Sequence, residues 1–390
     1  MKIAFVVGET SSDLLGADLA RGLNRRLGAN LDLVGLGGDA LAAEGLVSLF
    51  DIDELSIIGI GAILGRLPQL YLRLMQTVDH IVAARPDALI IIDSYVFSHN
   101  VARRVRRALP SLPIVNYVPP AVWAHHPGRA AGMRTYVDRA ICLFPFEQDV
   151  YRRLGGPPAS YVGHPLMRQP QLSAIMARLD GEGDISLPPK KPPTLLVLPG
   201  SRRGEVKRLS EDFARTLAVL SARMPGLRAI LPAVPRLKGM IEARVAGWDV
   251  KPEIVMGEEA KWEAFAQADG ALAASGTVAL ELALAGVPMA VCYRLDPLSY
   301  RLRHLIDGWT ASLPNHIADH PLVPEHFHEF IRPQAIARRL ERLMTDTPER
   351  QAQVTGFAAI RRAMAVESAP GDAAAEIVLS EIARSRERAT

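Results

Sequence analysis

The chain has 390 residues, 49% of them hydrophobic and 22% charged, with a formal net charge of +3. That length and balance fit two globular domains with large cores and argue against a disordered chain. Arginines gather at 103–107 and 338–342 without aromatic interleaving, so no nucleic-acid partner is expected.

In chain order, the apolar run Ile3–Val7 predicts a first strand, followed by the turn Gly8-Glu9-Thr10-Ser11-Ser12-Asp13 and a helix to about Leu27. Further strand-like runs lie at Asp32–Leu36, Ala88–Ile92, Ile114–Val118, Arg139–Leu143 and Ser160–Val162. Between 180 and 193 the composition shifts to Gly, Asp, Pro and Lys. Pro188, Pro189, Pro192 and Pro193 fit neither a helix nor a sheet interior, so this is the expected linker. A second set follows at Thr194–Leu198, Leu227–Leu231, Glu253–Met256, Gly270–Ala274 and Met289–Tyr293, then helical patterns at Pro333–Met344, Pro348–Ala365 and Asp372–Arg386. Continuous apolar strands alternating with helices predict parallel sheets covered on both faces. The expected fold is α/β: two doubly wound Rossmann-like domains, 1–185 and 194–365, facing a cleft, with 366–390 a C-terminal helix packing back on the first. Cys142 and Cys292 fall in apolar runs without metal-ligand spacing and are expected as buried free thiols of a cytoplasmic protein. With a strand read at the start, no signal peptide is expected, and no apolar run is long enough to span a bilayer.

The turn after Ala274 carries the strongest chemical signal. Ser275-Gly276-Thr277 joins a strand end to an Ala/Leu-rich helix, so free N–H groups at the positive end of a helix dipole offer a phosphate site. Glu281 follows one helical turn on, where a carboxylate suits the two hydroxyls of a ribose. A second such turn, Gly200-Ser201-Arg202, adds a guanidinium able to grip a diphosphate. Together they spell a nucleotide diphosphate in the second domain; an ordinary strand–turn–helix with a buried Glu is the competing explanation. In the first domain Glu9, Ser11, Ser12 and Trp123 are candidates for the acceptor side, with Asp13 alternatively the N-cap of its own helix. Asp93, ending an apolar strand, His125, after Pro119-Pro120-Ala121-Val122-Trp123, and Asp13 are the candidate general bases. Residues 55–84 are more apolar than one buried face requires. An amphipathic helix on a bilayer surface, a core helix and a homodimer contact all fit.

These motifs together resemble the lipid-A-disaccharide synthase family, GT-B glycosyltransferases. The matching stretches include Gly8-Glu9-Thr10-Ser11-Ser12-Asp13, Gly35-Leu36-Gly37-Gly38, Tyr117-Val118-Pro119-Pro120-Ala121-Val122-Trp123-Ala124, Val162-Gly163-His164-Pro165, Leu198-Pro199-Gly200-Ser201-Arg202, Ser275-Gly276-Thr277 with Glu281, Ser312-Leu313-Pro314-Asn315 and Val323-Pro324-Glu325. The resemblance implies transfer of 2,3-diacylglucosamine from its UDP derivative to 2,3-diacylglucosamine 1-phosphate. The reaction would need neither metal nor other cofactor and would run at the inner face of the cytoplasmic membrane of a Gram-negative bacterium. It also implies that Asn315 and Glu325 lie close to the donor. Departures cluster on the acceptor side: Ser12 stands for a glycine, His125 for a tryptophan, His328 for a glutamine, and Val96 for the second aspartate of I-D-x-P-D-F. They leave open a paralogue with another lipid acceptor, or a catalytically silent UDP-sugar binder.

Overall fold

The computed structural model describes residues 1–55, 60–181, 192–296, 300–301 and 308–389. Two compact units are present, Met1–Pro165 with Val366–Thr390, and Leu166–Ala365.

The first unit is built on a parallel sheet of β1 (Lys2–Val7), β2 (Asp32–Leu36), β3 (Ala88–Ile92), β4 (Ile114–Tyr117), β5 (Arg139–Cys142) and β6 (Ala159–Tyr161), in the order β2-β1-β3-β4-β5-β6. β3 is buried at every residue, which explains its unbroken Ala-Leu-Ile-Ile-Ile run: helices cover both faces. On these faces lie α1 (Thr10–Leu27), α2 (Asp39–Ala43), α3 (Ile60–Ala84), α4 (Tyr95–Ala108), α5 (Gly128–Met133) and α6 (Glu147–Arg153). The chain runs outward from β1 to β2 and then returns to place β3 on β1's other side. The gap beyond the carboxyl ends of β1 and β3 is therefore this sheet's topological switch point, where such sheets hold ligands.

The helix Pro370–Ala389 closes the unit by packing along α1. Gly22 is in contact there because a Cβ would stand 2.5 Å from the Gly371 carbonyl oxygen. Arg25 and Arg26 reach Asp372 at 2.7 and 3.0 Å, while Val378 and Ile382 enter the apolar core.

In the second unit β7 (Thr194–Leu198), β8 (Arg228–Ala233), β9 (Glu253–Met256), β10 (Gly270–Ala274), β11 (Met289–Tyr293) and β12 (Glu325–Phe327) form another parallel sheet, ordered β12-β11-β10-β7-β8-β9. Its switch point lies between β7 and β10, paired in register with Ala273 opposite Leu198. The helices α7 (Pro170–Gly181), α8 (Arg203–Arg223), α9 (Lys238–Val245), α10 (Glu258–Gln267) and α11 (Thr277–Leu284) belong to this unit. The division after Pro165 corrects the boundary expected near 185. α7 packs on α10, and Leu179 reaches Gly286, so this helix joins the second core. Residues 182–191 of the expected linker lie outside the described residues, as do 56–59 of the apolar segment. Within α3, Leu74, Val78 and Ile81 are core residues, whereas Leu67, Tyr71 and Leu72 are exposed.

Candidate active site

The two small-residue turns of the second unit leave β7 and β10 side by side at the switch point. A cavity of about 500 Å³ opens there, lined by Gly200, Ser201, Arg202, Ser275, Gly276, Thr277 and Glu281, with Pro232–Pro235, Gly257 and Lys261 opposite. Its size is that of an ordinary small-molecule pocket. Sequence spacing alone therefore brought seven candidate residues to one place.

The turns are not equivalent. At the start of α8, Glu205 folds back and accepts hydrogen bonds from the N–H groups of Ser201 at 3.1 Å and Arg202 at 3.2 Å. Gly200, at φ +120°, makes room for this, since a Cβ there would lie 2.5 Å from the Glu205 carboxylate. The expectation that this turn cradles phosphate through its N–H groups is thus corrected: its own glutamate satisfies them. What it contributes is the Arg202 guanidinium, 81% exposed and held, among the described residues, by a single 3.4 Å contact to Glu205. The start of α11 is different. Among the described residues no side chain caps it, so the N–H groups of Thr277 and Val278 remain available at the positive end of the helix, while the Ala279 N–H donates to the Gly276 carbonyl at 3.1 Å. Ser275 is pinned by donation from its N–H to the Cys292 carbonyl at 3.0 Å and from its Oγ to the Ala311 carbonyl at 2.7 Å.

Glu281 lies one turn along α11, and Lys261 Nζ approaches its carboxylate at 3.3 Å. Burial raises the Glu281 pKa, and Lys261 pulls it back toward the ionised form. Lys261 is also 2.8 Å from Glu258 and 4.5 Å over the Trp262 ring. Nothing in its helical neighbourhood marks this lysine as special, and only the packing of α10 against the switch point reveals it.

Asn315 and Glu325 do not line the cavity; they brace it from behind. Asn315 is buried, donates to Thr310 Oγ1, the Val323 carbonyl and Glu325, and accepts from the Val323 N–H at 2.7 Å. Glu325 accepts from the Ala311 N–H at 2.9 Å, the same residue whose carbonyl fixes Ser275. Their polar groups are thereby committed to the loop that holds the turn.

In the first unit, Asp13 is corrected from both expected roles. It lies inside the first turn of α1, is 2% exposed, and caps α2 by accepting from the N–H groups of Gly38 at 2.7 Å and Ala40 at 2.8 Å. Both carboxylate oxygens are engaged by the backbone of α2 in a buried position. Asp93 is exposed, so the expected cost of burying it does not arise. It stands at the switch point with φ +52°, followed by Ser94 at +47°, two successive left-handed residues that store strain. Ser94 fits only because Gly8 opposite has no side chain: a Cβ would fall 2.4 Å from Ser94 Cβ. Ser12 is buried and its Oγ donates to Asp93 at 3.4 Å, while Glu9, Ser11 and His125 are exposed. Trp123 is half-buried and donates from Nε1 to Glu147 at 3.1 Å, which makes it a brace within the unit. Glu147, unmarked by any motif reading, has its pKa pushed up to about 7 by burial, with bonds from Trp123 and backbone N–H groups opposing the shift.

Two doubly wound parallel sheets, each with its polar turns at a switch point, define the GT-B fold used by glycosyltransferases. The calicheamicin glycosyltransferase CalG4 is 16% identical, with 98% of each chain covered and a TM-score of 0.56. The Neisseria meningitidis UDP-GlcNAc 2-epimerase, solved bound to UDP-GlcNAc, is 12% identical over 98% of this chain and 100% of its own, with a TM-score of 0.54. These likenesses establish the architecture. The family follows from sequence: the profile described as lipid-A-disaccharide synthetase matches residues 3–377. Lipid-A-disaccharide synthases of Nitrobacter winogradskyi (43% identical over 389 residues, 99% of this chain and 97% of the relative) and Rhodopseudomonas palustris strain BisB18 (46% over 381 residues, 97% and 95%) are similar to it throughout. The chain belongs to the lipid-A-disaccharide synthetase family.

Proposed function

We propose that the chain is an inverting glycosyltransferase that moves 2,3-diacylglucosamine from UDP-2,3-diacylglucosamine to 2,3-diacylglucosamine 1-phosphate, releasing UDP, in lipid A biosynthesis. The observation that carries this reading is the uncapped start of α11, with Glu281 one turn on and Arg202 lining the same cavity. The first-turn N–H groups would take the diphosphate, Glu281 the ribose hydroxyls, and Arg202 the charge that builds on UDP as the glycosidic bond breaks. The epimerase of the same fold binds a UDP-sugar, which supports that ligand class.

On the first unit Asp93 is the candidate base, exposed beside the switch point and ready to take a proton from an acceptor hydroxyl. His125 is the alternative. Exposed Leu67, Tyr71 and Leu72 on α3 support attachment to the inner face of the cytoplasmic membrane. Among the described residues, no helix is long and apolar enough to cross one. The test is UDP release when the purified protein meets both lipid substrates, compared with Asp93→Asn. No turnover by the native chain, with UDP binding kept, would reject the activity.

One observation favours a second reading. Val96, where the family motif carries aspartate, is apolar and 77% exposed on α4. If Val96→Asp creates turnover that the native chain lacks, the native protein is a silent UDP-sugar binder.

A further inference from the structure

A second concentration of charge lies in the first unit, beyond the turns already described. Tyr95, His99 and Arg103 recur every four residues along α4 and so form one stripe. α5 and the turn after it bring Arg129 and Tyr136 to that stripe. Arg129 Cζ stands 4.2 Å from the centre of the Tyr95 ring, and Arg103 Cζ stands 5.9 Å from it and 4.7 Å from the Tyr136 ring. Two guanidinium groups thus flank one phenol. Arg103 donates to the hydroxyls of Tyr95 at 3.3 Å and Tyr136 at 3.2 Å, and His99 Nδ1 pairs with the same Tyr136 hydroxyl at 2.8 Å. His99 is fully buried, and among the described residues its Nε2 has no partner. Burial, reinforced by both arginines, pushes the His99 pKa down to about 3, so the imidazole is neutral. Among the described residues no carboxylate pairs with Arg103 or Arg129.

This arrangement is built for an anion. Aromatic faces hold each guanidinium flat; Arg103 spends its Nη2 on the two phenols, so its other N–H groups and those of Arg129 are left for a charge-assisted fork, and among the described residues the like charges carry no carboxylate counterion. Asp93 and Tyr95 are two residues apart, so their Cα atoms lie within about 7 Å, and the Arg129 guanidinium stands over the ring of that same Tyr95.

We propose that Arg103 and Arg129 form a phosphomonoester site beside Asp93, and that in the reaction proposed above it takes the 1-phosphate of the acceptor sugar. The identity of the phosphate's carrier rests on that reaction; the anion site itself does not.

The test is a cycle on the full chain: native protein and Arg129→Gln, each assayed with the acceptor and with its dephosphorylated form. Charge-assisted bonds of this kind correspond to about a 10- to 100-fold rise in acceptor KM for Arg129→Gln, with UDP affinity unchanged. With the dephosphorylated acceptor the two proteins should not differ. An equal rise for both acceptors, or none for either, overturns the proposal. Should no lipid acceptor turn over, the reaction fails on its own account, and titration of inorganic phosphate against ring-labelled tyrosine and histidine still decides the site. Shifts at Tyr95 and His99 that vanish in Arg129→Gln uphold it, and their absence in the native protein overturns it.

Discussion

Replacing Glu147 by glutamine should change how the first unit's stability responds to pH. The native carboxyl is buried at 4% exposure and accepts from Trp123 Nε1 and from the Phe144 N–H, each at 3.1 Å. Its pKa of about 7, against an ordinary 4.5, means that between those values the folded chain keeps a proton the unfolded chain has released. Stability contributed at this position therefore falls as pH rises through the window and levels off above about 7. His99 and His164, pushed down by burial to about 3 and about 4, act with the opposite sign: the unfolded chain gains protons below about 6.5, and stability is lost as pH falls. Both histidines are common to the two proteins and cancel in the difference. Glu147→Gln should thus gain on the native chain by about 2–3 kcal/mol between pH 5 and pH 8. For a unit of 190 residues that is about 4–12 °C in relative melting temperature. Thermal unfolding of both proteins across that range measures it. Melting temperatures that stay parallel with pH would refute the reasoning.

Asp13→Ala should lower stability by about 1–3 kcal/mol, because it leaves the half-buried N–H groups of Gly38 and Ala40 without their cap, while calorimetry shows UDP affinity untouched. An unchanged melting temperature with turnover abolished would instead restore Asp13 as a catalytic group. Lys261→Met removes the cation that opposes the raised pKa of Glu281, so UDP binding should weaken about tenfold and the deficit should grow as pH falls. Calorimetry at two pH values checks this, and native affinity at both contradicts it. Gly8→Ala drives a methyl into Ser94 Cβ at 2.4 Å, so the Asp93 turn must shift at a cost of about 1–3 kcal/mol. Native melting and native turnover in that variant would show that the turn's geometry is immaterial.

Where the chain is buried on both sides, its sequence announces its structure: Ala88–Ile92, Thr194–Leu198, Gly270–Ala274 and Met289–Tyr293 begin and end where the strand-like runs do. The edge strands Asp32–Leu36 and Glu253–Met256, less buried, also match their runs. The short strand Glu325–Phe327 escaped notice because its three residues pair with Val291–Tyr293 and have no apolar run of their own. Turn chemistry placed Ser275, Gly276, Thr277, Glu281 and Arg202 at one cavity because strand-end loops of a doubly wound sheet converge. Long-range pairing was invisible. Asp13 looks like a cap for the helix beside it, yet its partners lie about 25 residues on. Glu205 looks like an ordinary first-turn acid, and its folding back over Ser201 depends on the φ of Gly200. Likewise the break between units follows the packing of Pro170–Gly181, not the proline-rich stretch beyond it.

The helix Pro370–Ala389 has a consequence for biosynthesis. During translation the β1–β6 region emerges first, but the outer flank of α1 stays bare until 200 further residues have been made. Arg25 and Arg26 wait for Asp372, and the surface that receives Val378 and Ile382 faces water in the nascent chain. Completion of the first unit therefore waits until residues 370–389 have been made. A truncation that removes residues 370–389 is felt in a part of the molecule synthesised 200 residues earlier.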